Sequence, residues 1–160
     1  IRRVNEFFNR KVQFGEDQAI WGENDYWATP LEFMGRGSGD CEDFSIAKYF
    51  ALRSLGVPLE RLRITYVKAR IGGPRSEITQ AHMVLAYYEE PTGEPLILDN
   101  LITEVRPASR RADLTPVFSF NSEGLWTGAG PAEKKDAGSS TAKLSRWRDL
   151  IARMQAEGYE

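Results

Sequence analysis

The chain carries one cysteine and one histidine, Cys41 and His82. A thiol and an imidazole are the minimum set for nucleophilic attack on a carbonyl, the ring taking the proton and the thiolate making the bond. The pair alone says little, because a single cysteine is more often a small buried hydrophobe. Its surroundings decide. Cys41 directly follows Gly35-Arg36-Gly37-Ser38-Gly39-Asp40 and opens a helical pattern. A helix start offers unpaired N–H groups and the positive dipole end, which stabilise a thiolate and can hold the oxyanion it creates. The preceding glycines let a substrate backbone come close. A structural cysteine needs none of this.

His82 lies in a β-rich run beside Ala81, Met83, Val84 and Leu85, and the next such run closes on Leu98-Asp99-Asn100. A carboxylate at the end of an apolar run calls for a partner. If the hairpin loop is residues 89–92, position 82 faces position 99 directly; if the turn is Pro91-Thr92, the two are diagonal neighbours. Both registers put His82 and Asp99 on one face, because side chains alternate along paired strands. Asp99 could then hold one ring nitrogen while the other faces the thiol, as in a triad. Taken singly, His82 would read as a core histidine and Asp99 as the start of a turn; Cys41 tips the balance.

Asp40, Glu42 and Asp43 flank the thiol. In the first helical turn, acids complement the dipole. Three carboxylates within four residues also suit a hard cation such as Ca²⁺, although the spacing is not that of an EF-hand. Their charge opposes thiolate formation, so an active nucleophile here benefits from a cation. Trp21 and Trp27 precede the glycine loop; such residues are usually partial core, but Trp27 could wall a substrate groove or offer its N–H to an oxyanion. Arg106, Arg110 and Arg111 read as solvated surface.

The elements that must position these groups follow from periodicity. Val4, Phe7, Phe8 and Val12 predict a helix ending near Gly15, and residues 15–40 are turn-rich. Phe44, Ala47, Ala51 and Leu55 predict a helix from Cys41, capped by Asp40 and closed by Gly56 and Pro58. Strands are predicted over 63–71, 80–88, 96–105 and 117–126, with a hairpin across 89–94. Residues 127–142 read as a mobile loop, and Leu144, Trp147, Ile151 and Met154 as a closing helix. The fold class is α+β: a nucleophile helix packed on an antiparallel sheet.

At 160 residues the chain is one domain's worth, expected as a single domain over 1–160. A net charge of −2 argues against a generic nucleic-acid binder. No apolar run approaches the roughly 20 residues of a membrane helix, so direct membrane insertion is not expected. The start, Ile1-Arg2-Arg3-Val4, reads as the edge of a helix and not as a signal peptide. One cysteine excludes an internal disulfide and a Cys/His zinc cluster.

Trp27-Ala28-Thr29-Pro30-Leu31-Glu32, Gly37-Ser38-Gly39-Asp40-Cys41-Glu42-Asp43, Ala81-His82-Met83-Val84-Leu85 and Leu98-Asp99-Asn100 together resemble the bacterial transglutaminase-like cysteine proteinases, in particular the LapG-type periplasmic adhesin proteases. The resemblance implies a papain/transglutaminase-like fold. It implies Cys41 as nucleophile, His82 as base and Asp99 as its orienter. Asp40 and Glu42 match calcium-linked positions, with Asp43 beside them. It further implies calcium-dependent cleavage of the N-terminal region of a large surface adhesin near paired alanines, promoting biofilm dispersal. A cyclic-di-GMP-responsive inner-membrane receptor would sequester the enzyme through its periplasmic domain, and the compartment would be the periplasm, with any signal peptide removed or trimmed from this chain. Two rival functions remain open at this level: transglutaminase-type acyl transfer to amines, and a catalytically dead peptide-binding module.

Overall fold

The computed structural model describes residues 1–14, 27–90, 92–121, 124–127 and 141–158. The first helix, α1 (Arg2–Lys11), buries Phe8 and stops sooner than periodicity predicts. Val12 turns to an extended conformation, and the Gln13 N–H goes to the Gly37 carbonyl at 3.0 Å instead of a helical one. The short strand β1 (Gln13–Phe14) therefore runs parallel to β2 (Ser38–Gly39). Tertiary pairing has overridden the helical pattern.

The turn-rich reading of residues 15–40 misses a helix, α2 (Pro30–Arg36). Its signature is present in Thr29-Pro30-Leu31-Glu32. The Thr29 hydroxyl accepts the Glu32 N–H at 3.1 Å, Glu32 accepts the Thr29 N–H at 2.9 Å, and proline takes the first helical position. Gly37 ends α2 at φ 77°, the left-handed region that favours glycine.

Helix α3 (Cys41–Ser54) starts where predicted, with Asp40 as its cap, and buries ten of its residues on all sides. Four of these are polar or charged, Glu42, Asp43, Ser45 and Lys48, so the helix needs partners for them inside as well as apolar packing. It lies on an antiparallel sheet of order β6-β5-β4-β3-β7-β8. These strands are β3 (Leu62–Arg70), β4 (Thr79–Tyr87), β5 (Leu96–Leu98), β6 (Arg106–Pro107), β7 (Leu114–Asn121) and β8 (Gly124–Thr127). Ile46, Tyr49 and Leu52 pack against Ile64, Met83, Leu85, Leu98 and Phe120 of the sheet, joined by Trp147, Leu150 and Met154 of α4 (Thr141–Ala156). Each such side chain taken fully from water contributes about 1.5–3 kcal/mol, so α3 is firmly seated. The alternate residues Val67, Val84, Ala86 and Ile97 form a separate cluster on the far face.

Two predicted strands are shorter than expected. The run 96–105 breaks at Asp99, whose carboxylate accepts the Leu101 N–H at 3.0 Å and turns the chain out of the ladder. The chain returns as β6, with Pro107 opposite Leu96. The run 117–126 is two antiparallel strands, β7 and β8, with Ser119 opposite Trp126. Trp21, and residues 128–140 of the expected loop, lie outside the described residues. Among the described residues no helix is long and apolar enough to cross a membrane.

Candidate active site

Cys41 is the first residue of α3 and is partly buried. Ser45, one turn along, ties this end of the helix to the sheet. Its hydroxyl lies 2.9 Å from the Cys41 carbonyl and 3.1 Å from that of Met83 on β4. The thiol is thereby set against the Met83 backbone, one residue from His82. Burial pushes the Cys41 thiol well above its usual range, and the charges of Glu42, Asp40 and Asp99 push it the same way; the Met83 amide opposes them. Burial and the flanking acids thus act against the helix start, which favours a thiolate. The conflict between acids and thiolate read from the sequence is present in the structure.

His82 and Asp99 are both buried, with His82 Nε2 2.7 Å from Asp99 Oδ1. The ladder pairs Leu85 with Leu98 and Tyr87 with Leu96, which continues to place position 99 opposite 84. His82 and Asp99 are therefore the diagonal neighbours of the Pro91-Thr92 register. With Nε2 engaged, Nδ1 is the nitrogen left for a second partner. No direct hydrogen bond joins Cys41 to His82 among the described residues; the thiol meets the Met83 backbone, and His82 meets Asp99.

The structure corrects the reading of Arg111 as surface. Its side chain is 1% exposed, and Nη2 donates to Asp99 Oδ2 at 2.8 Å. Nε and Nη2 also each donate to Asp113 at 3.1 Å. Burial would raise the Asp99 carboxyl. Hydrogen bonds from His82, the Leu101 amide and Arg111 more than reverse this and hold it below the usual carboxylate range. Nothing in the residues around Arg111 separated it from Arg110; only Asp113 two places on hinted at a fixed guanidinium.

A second group escaped sequence reasoning. Lys48 of α3 is 1% exposed, and its Nζ donates to Asn9 Oδ1 at 2.8 Å. Asn9 Nδ2 in turn donates to the Asp99 carbonyl at 2.8 Å, and Asn5, one turn earlier, donates to the Thr103 carbonyl at 2.8 Å. Helix α1 is a strap holding the segment that carries Asp99. Burial lowers Lys48 to about 7 against the pull of Asp99. A lysine among apolar helix positions offered the only signal.

The three acidic residues flanking Cys41 meet different partners. Asp43 is buried, with Oδ1 accepting the Ala28 N–H at 2.9 Å and Oδ2 the Asp40 N–H at 3.2 Å. Asp40 Oδ1 accepts the Asp43 N–H at 3.3 Å, completing a capping box. Glu42 is turned to the Tyr66 hydroxyl at 3.1 Å. Among the described residues no group of three or more His, Cys, Asp or Glu is arranged to hold a metal ion. Of the three carboxylates expected to bind a cation, Asp43 accepts two backbone amides. Asp40 and Glu42 remain as hard oxygen donors on either side of Cys41, and their joint push on the thiol is a charge that a cation would relieve. Trp27, expected at the groove or the oxyanion, is packed inside. Its ring is 2% exposed and stacks on Phe120 at 6.0 Å, so it belongs to the core.

A helix-borne cysteine against an antiparallel sheet that carries a paired histidine and aspartate is the arrangement of a transglutaminase-like cysteine proteinase. Residues 1–115 match the bacterial transglutaminase-like cysteine proteinase family (BTLCP), and the chain belongs to it. Calcium-bound LapG of Legionella pneumophila is 44% identical, covering 96% of this chain and 77% of its own, with a TM-score of 0.79. The EGTA-treated form of that protein gives 44% identity, 96% and 76% coverage, and a TM-score of 0.79. No curated protein matches the chain.

Proposed function

We propose that the chain is a calcium-dependent cysteine endopeptidase in which Cys41, His82 and Asp99 form the triad. The observation that carries this reading is the buried contact of 2.7 Å between His82 and Asp99, beside a helix that begins at Cys41. His82 Nδ1 takes the Cys41 proton, and Sγ attacks the scissile carbonyl. The first N–H groups of α3 stabilise the oxyanion. The imidazolium, favoured by the Asp99 charge, returns the proton to the leaving amine. Water activated by His82 then breaks the thioester and frees Cys41. Asp40 and Glu42 would hold the Ca²⁺ ion, which when bound supplies positive charge against the two carboxylates that raise the thiol.

The similarity to LapG supports a substrate of the same kind: the N-terminal region of a large surface adhesin, cut near paired alanines, with biofilm dispersal as the consequence. On this reading the enzyme works in the periplasm and is sequestered by a cyclic-di-GMP-responsive inner-membrane receptor. A single cysteine suits that oxidising compartment, having no internal partner to pair with.

The same triad serves transglutaminase-type acyl transfer, since only the acceptor that resolves the thioester differs. Incubation with a paired-alanine peptide in water, and separately with a glutamine donor and a labelled amine, separates the two. Hydrolysis with no amine incorporation is expected. Incorporation without hydrolysis would assign a transferase, and neither product a binding module.

A further inference from the structure

The Asp99 carboxylate is shared between two buried partners on different oxygens. Oδ1 meets His82 at 2.7 Å and the Leu101 amide at 3.0 Å, while Oδ2 meets Arg111 at 2.8 Å. Arg111 is itself gripped from behind by Asp113, through two contacts of 3.1 Å. We propose that Arg111 is a positioning residue for the His82–Asp99 pair, keeping Asp99 ionised and presenting Oδ1 to the imidazole. This rests on the triad reading.

Asp99 sits in a setting hostile to charge. It is 1% exposed, so burial alone would raise its carboxyl, while its partner Arg111 lines a cavity of about 310 Å³ on the far face of the sheet beside Val67, Val84, Ser109 and Ser119. With neutral neighbours alone, a carboxylate in such surroundings takes up a proton. A protonated Asp99 keeps its shape but loses the charge that stabilises the imidazolium. The guanidinium prevents that, and its planar fork fixes the carboxylate plane.

A bare guanidinium would also cancel the Asp99 charge as seen from His82. Asp113 removes this problem. Asp99, Arg111 and Asp113 together carry one net negative charge, with the surplus available to the ring. Among the described residues, the other charged or titratable groups facing Asp99 are Lys48 and Cys41 of α3, with Asp40 and Glu42 acting on the thiol. Asn9 of α1, which touches the Asp99 carbonyl, is neutral.

The test is the pH dependence of Cys41 alkylation by iodoacetamide in the full chain, which needs no peptide substrate. Arg111→Met should move the acidic limb of the rate upward by about one pH unit or more, because burial then governs Asp99. Arg111→Lys, which returns the charge, should bring the limb back. If Arg111→Met does not stay folded, Arg111→Gln is held to the same shift, since it keeps a donor without the charge. A uniform loss of rate with the limb unmoved would reduce Arg111 to packing and overturn the proposal. Asp99→Asn separates the two levels. An unchanged profile in that variant rejects the triad itself, whereas a changed profile there beside wild-type behaviour in the uncharged Arg111 variants rejects only the role of Arg111.

Discussion

The Cβ that Gly39 lacks would stand 2.5 Å from the Phe33 ring and 2.9 Å from the Asp43 Cβ. Two residues before the nucleophile, the backbone runs pressed against the ring of α2 and the cap of α3. Gly39→Ala must shift one of them, and overpacking of this kind costs about 1–3 kcal/mol. Urea unfolding should show that loss, together with slower alkylation of Cys41. Gly35 is the control: it lies within α2 with nothing inside 4 Å of its missing Cβ, so Gly35→Ala should unfold at equal or higher urea.

Asp99→Asn is expected to lower turnover by roughly 10²–10⁴-fold, as in other triads. The ion pair with Arg111 adds a structural cost of about 1–3 kcal/mol, since the guanidinium is left with Asp113 alone. The pH sign follows from the lowered Asp99. Its contribution is present above the ordinary carboxylate value of about 3.9 and is lost as pH falls through the lower folded value. Acid unfolding followed by circular dichroism should therefore be less steep in Asp99→Asn. Near-normal turnover would leave Asp99 a purely structural residue.

Lys48 gives a slope of the same sign in a higher pH window. Its folded value of about 7 lies below the unfolded value near 10.4, so the unfolded chain binds more protons between these limits. Wild-type stability should rise with pH across that window by more than that of Lys48→Met. The penalty for the buried charge is fully present below about pH 7, so the variant should match or exceed wild type there, less what Asn9 loses as a partner. Equal slopes for the two proteins from pH 7 to 10 would contradict a desolvated lysine.

What the sequence revealed of the site was decided by locality. Asp40, Cys41 and the α3 start are adjacent residues, and cap chemistry is a short-range signal. The His82–Asp99 pairing was legible because a short hairpin permits few registers, and alternation preserves the face in either. Arg111 and Lys48 were not legible, because their burial is set by elements that are distant in the chain. Asn9 meets Lys48 across thirty-nine positions, and Arg111 reaches Asp99 only after β6 has folded back. Helix α1 was overextended for the same reason, its last turn being claimed by Gly37. The capping box of α2 was local and readable, but the surrounding glycines and proline obscured it.

Asp40, Glu42 and Asp43 divide by role, and calcium titration exposes the division. Thermal unfolding of wild type should shift upward with Ca²⁺ and less with Mg²⁺, which demands a tighter octahedron. Asp40→Ala and Glu42→Ala should lose that shift. Asp43→Ala should cost about 0.5–2 kcal/mol even in EGTA, because it removes a cap that also holds the Ala28 amide. An Asp43 variant as stable as wild type in EGTA would return that residue to the ligand set.

The most direct measurement is cleavage of an adhesin N-terminal segment bearing paired alanines, read by mass spectrometry for wild type and Cys41→Ala, each with Ca²⁺ or with EGTA. Two new termini are expected from wild type with Ca²⁺ and from no other combination, while Cys41→Ala keeps the wild-type circular dichroism. Cleavage by folded Cys41→Ala would contradict Cys41 as the nucleophile, and undiminished wild-type cleavage in EGTA would contradict calcium dependence.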